Sequence, residues 1–206
     1  MAKKTQVSLE FAFFGALRDF YVDNRRHIRG HYKDLSKKFL DFNDPKENDA
    51  YLRIPQFEAL EMYIFIKEFC SNAPVHQLFR EWFERRGVFE NRSNISLNRS
   101  QGSLFEIATE IQFEGLYKRM QKNSRRYSNY IYALTMGTGK TILMATCIFY
   151  EFLLANKYPL DEHYCHNALV FAPDKTVLQS LREIVEFDKS LVVPKEYINW
   201  LDSHLK

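Results

Sequence analysis

The sequence predicts an α/β fold: a mainly helical region over residues 1–125, then a parallel strand-helix-strand-helix arrangement over 126–206. Three observations predict it. Apolar residues recur at helical spacing through much of the first part. Two short runs in the second part, Tyr130–Leu134 and Ala168–Ala172, are β-branched or aromatic and too short for helices, so they suit buried strands. A helical pattern follows each run, and a crossover of that length joins parallel strands with a right-handed turn.

The elements follow in order. Ser8 is a good N-cap for a first helix whose Leu9, Phe13, Ala16, Leu17 and Phe20 make one apolar face. From Asp23 to Lys38 the chain is rich in charge and interrupted by Gly30, and it reads as a solvated face rather than a nucleic-acid patch. Asp41–Ala50 collects turn formers and reads as a loop. A second helix begins near Pro55, well placed for a first turn, and runs through Phe57, Leu60 and Ile64 to Phe69. A third covers Gln77–Arg86 and ends at Gly87; Phe89–Ser103 is a polar loop, and Leu104–Met120 is helical again. After the Tyr130–Leu134 strand comes an apolar helix from about Gly139 to Ala155. Asn156–Asn167 is a loop, the second strand is stopped by Pro173, and a last helix runs from Lys175 to about Glu186.

Composition narrows the class. Of 206 residues, 46% are hydrophobic and 27% charged, which excludes disordered and low-complexity proteins. Aromatics reach 16%, more readily explained by a packed helical core than by a docking surface. A net charge of +3 is too small to imply nucleic-acid binding by itself. Cys70, Cys147 and Cys165 form no CxxC pair, no signal-peptide pattern follows Met1, and no window holds the roughly 18 apolar residues of a membrane span. A soluble protein in a reduced, cytoplasmic setting is expected.

The turn between the first strand and its helix carries the chemistry: Leu134-Thr135-Met136-Gly137-Thr138-Gly139-Lys140-Thr141. GxGK[ST] arises by chance in about one chain in a hundred of this length, and less often between a strand pattern and a helix pattern. A triphosphate needs many donors converging without bulky side chains in the way. Gly137 and Gly139 let backbone N–H groups turn inward, and the helix N-terminus adds its positive end. Lys140 supplies a full charge to the β and γ phosphates, and the Thr141 hydroxyl is placed to ligate Mg²⁺. Met136 to Thr141 are the candidate phosphate-binding residues. Leu134 stands where GxxxxGK[ST] has its first glycine.

ALTMGTGKT resembles motif I of superfamily 2 helicases, in particular the form found in the Res subunits of type III and type I restriction enzymes. Asn167-Ala168-Leu169-Val170-Phe171-Ala172-Pro173-Asp174-Lys175-Thr176 is similar to motif Ia of the same group. The resemblance covers residues 128–190. It implies an incomplete RecA-like P-loop domain that binds ATP and Mg²⁺, with Pro173, Asp174, Lys175 and Thr176 contacting the backbone of double-stranded DNA. It also implies a methyltransferase (modification) subunit as a possible partner; no membrane partner is expected, since no window reaches the length of an apolar span. In such helicases a glutamine upstream of motif I reads adenine. Arg53-Ile54-Pro55-Gln56-Phe57 looks like that segment and nominates Gln56, 84 residues before Lys140, with Gln112 as the competing candidate.

Hydrolysis also needs a carboxylate at the end of another buried strand. Asp161-Glu162-His163-Tyr164 is superficially like a DEAH box, but no apolar strand precedes it and Pro159 denies it a central place in a sheet. No catalytic residue is assigned. His163-Tyr164-Cys165-His166 is crowded for a zinc site and lacks a second cluster. Only 66 residues follow Lys140, so the expected sheet stops partway and Leu191–Lys206 is expected to end near an unpaired sheet edge. The resulting expectation is the ATP- and DNA-binding N-terminal part of a helicase or translocase, without turnover of its own. Two alternatives stay open: another P-loop enzyme such as a kinase, or a truncated, non-catalytic nucleotide-binding remnant.

Overall fold

The computed structural model describes residues 9–47, 49–90, 110–125, 127–135, 137–171, 182, 184 and 186–204. Among them there are seven α-helices: α1 Leu9–Gly30, α2 Asp34–Asn43, α3 Ile54–Ile64, α4 Val75–Glu84, α5 Glu110–Asn123, α6 Lys140–Lys157 and α7 Lys195–His204. A π-helical turn, Phe65–Phe69, extends α3, and 3₁₀ turns occupy Gly87–Phe89 and Lys189–Leu191. The chain divides into two compact units, one of residues 1–30 and 65–130, the other of residues 31–64 and 131–206.

The first unit explains the aromatic density. Phe13 of α1 is fully buried and meets Phe79 and Trp82 of α4 at ring-centroid distances of 5.3 and 5.5 Å. Phe79 and Phe83 in turn stack on Phe113 of α5, at 5.0 and 3.9 Å. Phe20, two turns further along the α1 stripe, packs on Phe65 and Phe89. Helix α4 ends where Arg85 adopts the left-handed conformation at φ 53° and its N–H returns to the carbonyls of Glu81 and Trp82. Gly87 follows at φ 59°, packed so closely on the Glu81 carboxylate that a Cβ would overlap it.

The second unit is built around α6. Its helix is apolar on nearly all sides because it is covered from several directions, by α2, α3 and α7. Phe39 of α2 packs on Tyr150 at 5.5 Å, and the Tyr150 hydroxyl meets Ser36 at 3.1 Å. Asn43, at the end of α2, donates to the carbonyl of Val192 at 2.8 Å. Val192 and Val193 are fully buried just ahead of α7.

These observations overturn the α/β expectation. The described residues contain no strand, so an incomplete RecA-like P-loop domain is not the fold. Ile131–Thr135 is irregular, with Ile131 95% exposed, and Asn167–Phe171 is irregular with Leu169 80% and Phe171 82% exposed. The physical reason lies in what β-branched and aromatic runs signify: they fit a pleated surface once a partner strand supplies the ladder, and neither run has one among the described residues. Helices α2, α3 and α7 cover part of α6, and the face turned toward the two runs lines a cavity instead of packing on a sheet. The unpaired sheet edge expected at the end of the chain is likewise a helix, α7. No described helix is long and apolar enough to cross a membrane.

The first helix runs to Gly30, ten residues beyond Phe20, so much of the charge-rich stretch is helical. Ala172, Leu104–Thr109 of the expected fourth helix and most of the helix expected after Lys175 lie outside the described residues.

Candidate phosphate-binding site

The head of α6 is shaped by its glycines. Gly139 is the N-cap, at φ 73° and ψ 46°, a left-handed conformation that a glycine adopts without strain. Gly137 also sits at φ 73°. Lys140 and Thr141 are therefore the first two helical residues, in the turn whose N–H groups have no intrahelical acceptor and where the helix dipole is positive. The Gly139 carbonyl accepts the first intrahelical bond, from Leu143 N at 3.1 Å.

One carbonyl closes the loop. Thr135 O accepts from the Thr138 hydroxyl at 2.7 Å and from Lys140 Nζ at 3.1 Å. In this state the lysine charge is turned onto its own loop, from which a phosphate oxygen would withdraw it. Lys140 is exposed and Thr141 half-buried. Met136 lies outside the described residues, as do Pro173, Asp174, Lys175 and Thr176, the candidates for contacting DNA.

Gln56 is brought to the same loop from α3. It is only 2% exposed, its Nε2 donates to the Gly139 carbonyl at 2.9 Å, and its Oε1 accepts from the Arg53 N–H at 2.8 Å. The second contact is half of a capping box, in which the third helical residue reaches back to the N–H that precedes the helix. Gln112, the rival candidate, is an exposed residue of α5 and belongs to the other unit.

Lys140 and Thr141 open onto a cavity of about 740 Å³ that runs beside α6. Glu151 lines it too. Eleven residues from Lys140, it is three turns along the same face, about 16 Å away at 1.5 Å per residue. Glu151 is buried, and it accepts from the Tyr63 hydroxyl at 2.5 Å and from the Cys165 N–H at 3.1 Å. Burial, and then the neighbouring Glu151 charge, push the Tyr63 phenol well above its ordinary range, so its hydroxyl remains a donor. Tyr132 lies beside Tyr63 with centroids 6.3 Å apart, giving the cavity an aromatic wall. The sequence signal for this cluster was present in Glu151, a lone carboxylate within an apolar helix at the same angular position as Lys140.

Asp161 has a different setting. It follows α6 in a turn, bonded through Oδ2 to Lys33 Nζ at 2.8 Å and through Oδ1 to His163 Nδ1 at 2.7 Å, while Lys33 lies 5.1 Å from the ring of Tyr164. Burial pushes the Asp161 carboxyl up, but the bonds from Lys33 and His163 outweigh it and hold the group down at about 2. Its carboxylate thus ties the turn to the start of α2. Among the described residues no group of three or more His, Cys, Asp or Glu is arranged to hold a metal ion.

No protein-family profile, no curated protein and no solved structure matches the chain.

Proposed function

We propose that the chain binds a nucleoside triphosphate with Mg²⁺ through the Gly137–Thr141 loop. The observation that carries this is the head of α6: a left-handed glycine N-cap with Lys140 and Thr141 immediately after it, opening onto a cavity large enough for a nucleotide. Lys140 would exchange the Thr135 carbonyl for the β and γ phosphates. The helix N–H groups would hold the same oxygens, and the Thr141 hydroxyl would ligate the Mg²⁺ that accompanies them. The motif resemblance names ATP as the nucleotide. The test is calorimetric titration of ATP with Mg²⁺ into the full chain, with Lys140→Ala as control. Weak binding lost in the variant is the expected result, and equal heats for both refute a working phosphate loop.

The order of the motif I-like and motif Ia-like segments favours a further part of this proposal, a DNA-stimulated helicase or translocase similar to a restriction-enzyme Res subunit and paired with a modification subunit. It rests on the resemblance alone, and its test is fluorescence anisotropy with labelled duplex DNA. Turnover of ATP by this chain by itself is proposed to be negligible, since Asp161 is committed to Lys33 and His163.

A further inference from the structure

We infer that Gln56 is a positioning residue that braces the phosphate loop, acting on every ligand that carries a triphosphate rather than reading a base. The inference rests on the phosphate-binding role proposed for Lys140 and Thr141.

Three observations carry it. Gln56 is 2% exposed, so its amide is not presented to solvent. Both ends of that amide are engaged, Nε2 on the Gly139 carbonyl at 2.9 Å and Oε1 on the Arg53 N–H at 2.8 Å. Its orientation is also fixed by its partners, because a flipped amide would set donor against donor at Arg53 and acceptor against acceptor at Gly139. The fit at the loop is close: a Cβ on Gly139 would lie 2.5 Å from Gln56 Nε2.

The consequence for binding is mechanical. Gly139 is the pivot from which Lys140 and Thr141 enter α6, so a bond that fixes the Gly139 peptide fixes where the ammonium and hydroxyl stand. Anchoring that bond to the capped first turn of α3 joins the loop to a second helix. A site whose donors are held in place loses less on binding than one that must be ordered by its ligand. An adenine edge, by contrast, would have to break both bonds to use the same amide.

The test uses the full chain and three ligands with Mg²⁺: ATP, GTP and inorganic tripolyphosphate. Gln56→Leu, which brings no charge, is expected to lower affinity for all three alike, by roughly tenfold. A loss confined to ATP overturns the brace and restores base reading. Gln56→Glu gives a readout that simple loss of packing does not. Its carboxylate still accepts from Arg53 but repels the Gly139 carbonyl, whereas the protonated carboxyl donates to it. The deficit relative to the wild type at the same pH therefore shrinks as pH falls toward the Glu range, about 4.3 and higher for a buried group. A deficit that stays constant with pH argues against the bond. Circular dichroism checks that each variant is folded. If Lys140→Ala leaves tripolyphosphate binding unchanged, the phosphate role itself fails. If Lys140→Ala abolishes binding while both Gln56 variants bind like the wild type, only the brace fails.

Discussion

Replacing Gly139 with alanine perturbs the loop in two ways that can be separated. The residue sits at φ 73°, where an L side chain costs about 1–2 kcal/mol. The new Cβ would also lie 2.5 Å from Gln56 Nε2 and 3.2 Å from Ile142 Cδ1, so Gln56 must move and its bond to the Gly139 carbonyl is lost, worth about 1 kcal/mol more. Gly139→Ala is therefore expected to destabilise the second unit by about 2–3 kcal/mol. Gly137→Ala is the control: its φ is the same, but no atom lies within 4 Å of the new Cβ, so about 1–2 kcal/mol is expected. The assay is urea unfolding followed by the fluorescence of Trp200, in a Trp82→Phe background so that only the second unit reports. At an m-value of roughly 2 kcal/mol/M, Gly139→Ala lowers the midpoint by about 1 M or more, and Gly137→Ala by less. In a Gln56→Ala background the difference between the two glycines should shrink to what the Ile142 contact leaves. Equal costs at both positions with Gln56 present, or an unchanged gap without it, would refute the contact.

Other predictions concern the rest of the cluster and the thiols. Tyr63→Phe removes a donor from the buried Glu151 carboxylate and is expected to lower stability by about 1–3 kcal/mol in the same unfolding assay, more than Tyr132→Phe does. Asp161 has a folded-state pKa depressed from 3.8 to about 2, so its contribution is fully present above about 3.8 and is lost as pH falls through about 2. Asp161→Asn should lower the unfolding midpoint at neutral pH and flatten its decline below pH 4, with no change in nucleotide affinity. Cys165 is exposed, whereas Cys70 is buried with its thiol pushed up to about 12 by burial and by nearby Glu81. Titration with a coloured disulfide reagent should modify Cys165 first and reach Cys70 only on unfolding.

What the sequence makes legible depends on how local the determining forces are. The apolar helix expected over Gly139–Ala155 is α6 at Lys140–Lys157, because a glycine N-cap and a long apolar run specify it without help from elsewhere. Pro55 likewise places the start of α3 within a residue. The strands expected at Tyr130–Leu134 and, over the described part of Ala168–Ala172, at Ala168–Phe171 are not formed, because a strand is a statement about a partner, and periodicity in one segment cannot supply the ladder. Helix α7 was missed since its only buried residue is Leu201, and it is held by contacts distant in sequence, above all its packing against α6. At the site, the glycines and Lys140 declare themselves in the motif. The return of Gln56 to Gly139, across 83 residues, has only a loose pattern behind it, and the Lys33 clamp on Asp161 has none.

The most direct test of a phosphate loop on this helical unit is two-dimensional NMR of the isotope-labelled full chain titrated with ATP and Mg²⁺. The account predicts that the amide signals of Gly137, Gly139, Lys140 and Thr141 move most, that Gly139 moves together with the Gln56 side-chain amide, and that Lys140→Ala abolishes these shifts. Signals at the loop that stay in place, or shifts centred elsewhere and retained by Lys140→Ala, would contradict it.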